Sequence, residues 1–515
     1  MGLTHSSATV SDPVSFASPV DVVKNKDTLR EYDYIIVGGG TAGCVVASRL
    51  SEELIDLLTR VPLAFGKLAK SDVDWDYVTT PQEGMNGRKV HWPRGKILGG
   101  TSTINAMIYH RCAPEDFDEW ERLGATGWDY AHLRPYFDKA ERYAPSPSHG
   151  LDGPWLTNHT TEFAVAISDP VLDTCEGMGI SYNDDINSPR GTIGATRLVG
   201  CIDDSGQRSS AATAYLTADV LRRHNLTVAV YTIVENILFA RDVGAKPRAT
   251  GVEVSKSRTS PRYRAHARRE VILCAGAVMT PQLLLVSGIG PSDDLHKLGI
   301  DVVQDLPAVG KNLMDAKPYI CSGMSIAAFI RSDDPNLSPY WEEPTNTTVR
   351  DMTSGPGAPD LELLWFPLLF DVDNDGVAIP ASGLYGITTA ASLLRPESTG
   401  EITLASRSIW DKPIIDAQLL LRMARSEPLA SLLDWTPAAE TDYFWPGNAD
   451  PEKVATARMG QDAQTSVVDP QLRVHGVDGL RVVDASAFPT QVSGHPCAVV
   501  IAMAEKAAEL LKTST

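Results

Sequence analysis

The chain has 515 residues, 43% hydrophobic and 22% charged, ordinary globular proportions at a length that calls for more than one packed lobe. A formal charge of −19 argues against a nucleic-acid partner, whose phosphates would be repelled. Seven cysteines, odd in number and with no C-x-x-C pair, point to reduced buried thiols rather than a disulfide framework or a zinc site.

The first thirty residues have neither a basic start nor an apolar h-region, so residues 1–30 read as a disordered tail on a cytoplasmic protein. Gly2 with Ser6 fits the short myristoylation pattern, which is frequent by chance. Sequons at Asn158, Asn225, Asn336 and Asn346 would matter only on a secretory route. No window approaches the roughly 18 apolar residues of a membrane span.

Asp33–Val37 is a short β-branched run that breaks into Gly38-Gly39-Gly40-Thr41-Ala42-Gly43, after which Val45, Val46, Ala47 and Leu50 continue with helical character. A second turn-rich segment spans Gly95–Asn105. Residues 225–240 and 251–256 alternate like antiparallel strands, and Arg262–Arg269 reads as a solvated strand edge and linker. Glu270–Ala275 is a buried strand leading through Gly276 into a helix as far as Leu285. From about 318 to 465 Pro, Asp and Ser become frequent, with strands at Asp360–Phe366 and Glu401–Leu404. Leu480–Val483 then runs into Asp484, and Val499–Leu511 is an Ala-rich helix. The alternation predicts an α/β fold in which segments of a Rossmann-like nucleotide lobe interleave with a second lobe. The nucleotide lobe would take residues 31–149, 200–317 and 466–515. The second lobe would take residues 150–199 and 318–465.

The spacing Gly38-x-Gly40-x-x-Gly43 meets three needs of a dinucleotide site: a tight turn, close backbone approach to a pyrophosphate, and close helix–strand packing. The helix that follows offers free N–H groups and its positive dipole end to phosphate. The acid that normally holds the ribose about 20 positions on has no counterpart, since Asp56 follows Gly43 too soon for a helix, a turn and a strand.

Taken with that turn, GKILGGTSTINAMIYHR, CAGAVMTPQLLLVSGIG and GLRVVDASAFPTQVSGHP give a chain that resembles the glucose–methanol–choline (GMC) oxidoreductases from about Tyr32 to Leu511. The resemblance implies that the second lobe is a substrate lobe built on an antiparallel sheet, and it implies FAD. It further implies oxidation of an alcohol to a carbonyl by hydride transfer to the flavin while a histidine takes the hydroxyl proton. It places Gly38, Gly40 and Gly43, with Thr41 and Ala42 between them, at the pyrophosphate. Gly99, Gly100, Thr101, Ser102 and Asn105 fall along the isoalloxazine, Val234 at the adenine, and Ala275 and Gly276 at a neighbouring strand end. Asp484 and Ala485 fall at the ribityl and phosphate region. Ile104 stands where some members carry a flavin-linking histidine, which implies non-covalent FAD. His495 falls on one active-site position.

Glu452 stands where the other active-site histidine belongs. Ala455 replaces a glycine, Cys112 another, and Ala316 a frequent histidine. The chain reads as short after Glu53, around Asp416–Met423 and before Val454, as either a mis-assembled gene model or a decayed enzyme would be. His495 is the expected general base, whereas Glu452 reads as a surface residue and His91 and His475 as structural turn residues. Trp341, Trp365, Phe366 and Phe370 are core side chains by default, with an apolar pocket wall as the alternative. The leading reading is an FAD-dependent alcohol oxidoreductase with a small-molecule alcohol substrate and an electron acceptor the sequence leaves unspecified. The rival is a protein on the same fold whose degraded redox site serves a non-redox reaction or a scaffold.

Overall fold

The computed structural model describes residues 9–20, 30–49, 68–83, 87, 89–143, 148–159, 165–241, 244–314, 326–337, 351–366, 370–372, 378–380, 388–396, 398–418 and 454–513. Two short strands, β1 (Thr9–Val10) and β2 (Ser18–Pro19), precede β3 (Arg30–Val37) and helix α1 (Thr41–Ser48). Helices α2 (Pro114–Arg122), α3 (Tyr130–Ala140) and α4 (Val165–Gly177) lead to strand β4 (Gly194–Arg197). Strands β5 (Val228–Ala229), β6 (Ile233–Ala240), β7 (Arg248–Ser255) and β8 (Tyr263–Leu273) follow, then α5 (Gly276–Val286). The substrate-side strands are β9 (Ile326–Ile330), β10 (Leu361–Phe366) and β11 (Thr388–Leu393), and the chain closes with β12 (Leu480–Val482) and α6 (Cys497–Thr513).

Strand β8 organises the nucleotide side. Tyr263 to His266 pair antiparallel with β7, Val271 to Leu273 run parallel to β12, and β3 runs parallel to the strand from Ala265 to Leu273. Val271, Ile272 and Leu273 are fully enclosed, as expected of a strand covered on both faces, whose sequence is then a continuous apolar run. Helix α6 is buried from Cys497 to Ala508, and its alanines let α1 and α3 pack closely against it. The second sheet is antiparallel in the order β11–β10–β9–β4. Leu361 and Leu363, with Trp365 partly buried beside them, face Leu172 and Cys175 of α4 in a separate small core. Trp365 is thus a core side chain, while Trp341 and the side chains of Phe366 and Phe370 lie outside the described residues.

Two expectations need correction. Part of the supposed N-terminal tail is structured, because β1 pairs with β5 and β2 with Tyr263 and Arg264 of β8. Phe16 and Ala17 are buried in the main core, so this segment gains both backbone pairing and apolar burial. Arg262–Arg269 is not a linker either, since most of it belongs to β8 in mid-sheet. Ala265 and Ala267 point into the core, while Arg262, Arg264 and Arg268 pair with Glu235, Glu253 and Asp33. The expected gap after Glu53, Ala316 and Glu452 lie outside the described residues.

Candidate active site

The glycine turn is fixed by close approaches between main-chain atoms. Gly38 has φ +114°, and a Cβ there would fall 2.4 Å from the carbonyl oxygen of Cys274 at the end of β8. At Gly43 a Cβ would fall 1.9 Å from the oxygen of Gly38. Gly40 differs, because a Cβ there would find only ordinary contacts at 3.7 and 4.0 Å. The protein's own atoms do not demand a glycine at 40; the space in front of it does. Gly40 is also the N-cap of α1 and supplies no side-chain cap, so the first N–H groups of the helix are not claimed by a capping side chain.

The second glycine segment lies directly on the first. Gly99 N–H donates to Gly39 O at 2.8 Å, Thr41 Oγ1 donates to Gly99 O, and a Cβ on Gly100 would sit 2.7 Å from Gly40 Cα. Between these turns and β6 opens a cavity of about 1550 Å³, larger than the few hundred to about 1,000 Å³ typical of small-ligand pockets. Gly38 to Gly43, Gly100, Thr101, Val234, Ala275, Gly276, Asp484 and Ala485 all line it. In a chain of net charge −19, its wall carries Arg49, Arg94, Lys96, Lys256, Arg269 and Lys512 against Asp33, Asp72 and Asp484. A basic wall, helix N–H groups without a side-chain cap and an unfilled cradle before Gly40 fit a dinucleotide diphosphate.

Asp484 is buried, and its carboxylate accepts from Ser486, from Thr280 Oγ1 at 2.7 Å and from Gly276 N–H at 2.9 Å. Burial pushes its carboxyl above the usual range, and these hydrogen bonds offset part of the effect. Its side chain therefore fixes the wall, and the main chain at 484–485 is the part free to meet a cofactor. Gly99, Ser102 and Asn105 do not line the cavity. Ser102 Oγ donates to Gly99 O and accepts from Ala211 N–H, while Asn105 Oδ1 accepts from Arg208 at 2.8 Å. Ser102 and Asn105 thus bond within the loop and stand behind Gly100 and Thr101, which line the cavity. Ile104, buried between them, offers no nucleophile.

His495 also lies off the cavity wall, in a buried side-chain cluster carried by the same two segments that form the wall (residues 95–112 and 484–497). Asp116 of α2, fully buried, anchors the loop by accepting from Ser493 N–H and Oγ at 2.7 and 2.6 Å, and it also meets Arg395 and Ser354. Burial raises the Asp116 carboxyl, with Arg395 and the serines pulling the other way. Gly494 is needed because a Cβ there would fall 2.0 Å from His110 Nδ1. His110 Nδ1 accepts from the His495 main-chain N–H at 3.4 Å, so its proton is on Nε2, facing Thr192 Oγ1 at 3.3 Å. Burial, reinforced by His495, holds His110 well below the usual histidine range. His110 is therefore a neutral prop.

His495 Nε2 lies 2.9 Å from Glu362 Oε1, and both side chains are essentially inaccessible. Glu362 belongs to β10, between Phe329 of β9 and Ser392 of β11 in register, and the His110 ring packs 4.6 Å from that of Phe329. Cys112 lies beside them; burial, Asp116 and Glu362 push its thiol far up, so it stays neutral. Sequence reasoning missed Glu362, His110 and Thr192. The acid was visible as the one charge within the apolar strand Leu361–Phe366, but its partner was not.

Two residues expected to stand in place of glycines have backbone that favours glycine: Cys112 has φ +67° and Ala455 φ +70°. Ala455, Ala457 and Met459 N–H groups donate to the carbonyls of Ala485, Ser486 and Ala487, so the departure leaves this wall intact. His91 lies against Asp74 and Asp76, and His475 against Gly460 and Ser466, consistent with structural roles. Among the described residues no group of histidine, cysteine or acidic side chains could hold a metal ion, and no helix is long and apolar enough to cross a membrane.

Comparison with known proteins matches residues 32–317 to the N-terminal and residues 448–504 to the C-terminal part of the GMC oxidoreductases. The chain belongs to the GMC oxidoreductase family. It is 40% identical to "Dehydrogenase str4" of Strobilurus tenacellus, over 99% of this chain and all of that one. Human mitochondrial choline dehydrogenase is 35% identical over 94% of this chain and 90% of its own length. A crystal structure of pyridoxine 4-oxidase from "Mesorbium loti" superposes with a TM-score of 0.77 at 28% identity, over 94% of this chain and 99% of that one. This GMC protein is an FAD-dependent oxidoreductase of the alcohol-oxidising kind, with a Rossmann-like FAD lobe and a substrate lobe. The alignment with the Strobilurus dehydrogenase runs over 626 positions, 111 more than the chain's 515 residues. The chain is thus internally shorter than that relative, yet nothing in the comparisons favours the scaffold alternative.

Proposed function

We propose that His495, held by Glu362, takes the hydroxyl proton of the alcohol at the point where the two lobes meet. The observation that carries this reading is the 2.9 Å contact between His495 Nε2 and Glu362 Oε1, buried at the end of the segment that starts as cavity wall at Asp484. FAD bound in the cavity supplies the acceptor for the carbinol hydrogen and its electron pair. The chain's own part is to bind the diphosphate at residues 38–43, to hold the imidazole, and to exclude water from it.

The contact with Glu362 fixes the orientation of the imidazole that receives the proton released from the hydroxyl. His110 and Thr192 buttress the loop from behind, and Asp116 fixes its start. We assign the nucleotide lobe to residues 31–149, 200–317 and 466–515, with the segment from Thr9 to Pro19 added to its sheet. The substrate lobe takes residues 150–199 and 318–465.

Anaerobic mixing of the FAD-loaded enzyme with alcohols, followed through the long-wavelength flavin band, tests the reading. Bleaching that His495→Gln slows without loss of bound flavin supports it. A fully loaded protein that no alcohol bleaches removes it.

A further inference from the structure

We infer that the segment Thr9–Pro19 is a cofactor-retaining strap: it completes the wall of the FAD cavity at the adenosine end, and its docking and the binding of FAD strengthen each other. The family match begins at residue 32, so the strap lies ahead of the matched region. Its role is independent of that of His495.

The strap is fastened where the cavity is. Thr9 and Phe16 line the cavity together with Tyr32 and residues 225–234. Strand β1 runs parallel to β5, and Val230 N–H donates to Val10 O at 2.9 Å. The next residue, Tyr231, has φ +54° and is 70% exposed, and from it the chain enters β6 and reaches Val234. Left-handed backbone is disfavoured for a tyrosine, and a side chain so exposed gains little burial to offset it. This turn therefore depends on what holds the residue before it, which is the strap. Farther along, Tyr32 Oη donates to Phe16 O at 3.1 Å, and Ser18 Oγ accepts from Arg30 N–H at 3.2 Å.

Little else keeps the strap docked. Strands β1 and β2 are two residues each, and each pairs at two positions, which is marginal on its own. Burial of Phe16 and Ala17 supplies the rest. A segment held this way opens more readily than the whole fold, and a ligand that touches only its docked form closes it. The strap's side chains say which part of the cofactor it meets. Within residues 9–20 the one charged side chain is Asp12, whose carboxylate accepts from Val14 N–H. No cation is brought to a diphosphate. An aromatic ring and a threonine hydroxyl, beside the turn that leads to Val234, suit adenine and ribose.

Cleavage by chymotrypsin after Phe16 reads the docking, because Phe16 must leave the core to be cut. In the full chain stripped of flavin, excess FAD should slow that cleavage at least about 10-fold, while cleavage in the substrate lobe keeps its rate. FMN, which lacks the adenosine, should slow it less than about 3-fold. By reciprocity, Phe16→Ala should weaken FAD binding at least about 10-fold, and the milder Thr9→Ala several-fold. Variants that melt earlier yet bind FAD as tightly as the parent would overturn the inference, since the segment would then serve stability alone. Protection by FMN equal to that by FAD would overturn the placement at the adenosine. Cleavage after Phe16 that FAD leaves unchanged, or slows no more than cleavage in the substrate lobe, would overturn the coupling, and this measurement decides the matter even where Phe16→Ala fails to fold.

Discussion

Around residues 38–43 and 99–100 the decisive contacts run between main-chain atoms, whereas around His495 they run between side chains from separated segments: His110, Asp116, Thr192, Phe329 and Glu362. The cradle is specified by what is missing, since a Cβ at 38 or 43 would collide with a carbonyl. The cluster is specified by what is present, the hydrogen bonds from Ser493 to Asp116 and between His495 and Glu362. Backbone sites of the first kind tolerate loss elsewhere in the chain. Sites of the second kind depend on every donor having its acceptor.

The contrast can be broken most sharply at the glycines. Gly40→Val should leave a folded protein, by circular dichroism, that binds FAD about 100-fold more weakly or not at all, because its side chain fills cofactor space and not protein. Gly43→Ala should instead fail to fold or aggregate, since the added atom meets Gly38 O at 1.9 Å. Equal FAD binding by Gly40→Val and the parent, read from absorbance after desalting, would refute the cradle. In the side-chain cluster, His495→Gln should slow anaerobic bleaching by about 10²- to 10⁴-fold with flavin content unchanged, the usual worth of a general base. A change below about threefold would show that the proton goes elsewhere.

A third test concerns stability away from both sites. His149 is fully enclosed between Glu141 and Asp185, which it meets at 2.8 and 3.1 Å. Burial disfavours its charged form, yet the hydrogen bonds to Asp185 and Glu141 prevail and raise it from 6.5 to about 9. A raised folded-state value means stability that is full below pH 6.5 and is lost as pH climbs through about 9. The loss should be about 2–3 kcal/mol in denaturant titrations, and His149→Gln should flatten the profile over that window. An unchanged pH profile in the variant would place the dependence elsewhere. The smallest effect is expected at Ala455, whose φ of +70° costs an L-residue about 1–2 kcal/mol, part of which glycine returns as chain entropy. Ala455→Gly should therefore stabilise by up to about 1 kcal/mol in the same titration, and a loss of stability would refute the strain.

The cradle was legible because its requirement is local: strand, three glycines and helix lie within Asp33–Ser48, and the spacing alone carries the chemistry. The same holds for β8, α5 and α6, whose apolar runs of strand or helix length announce burial. Arg262–Arg269 misled because a count of charges hides alternation; Ala265 and Ala267 face inward while the arginines find acids on neighbouring strands. Phe16 and Ala17 misled because a short segment without periodicity can still be bound by pairing to β5 and β8. Glu362 was visible as an odd residue in a strand but could not be assigned a role.

From the sequence by itself came the family, the nucleotide turn and His495, because motifs of fixed spacing encode backbone geometry within a few residues. The tertiary structure alone decided that Ser102 and Asn105 support the loop, that His110 is a neutral prop and that Glu362 meets His495. Those relations join positions 133 and 385 residues apart, and hydrogen bonding over such separations depends on how sheets and lobes close in space.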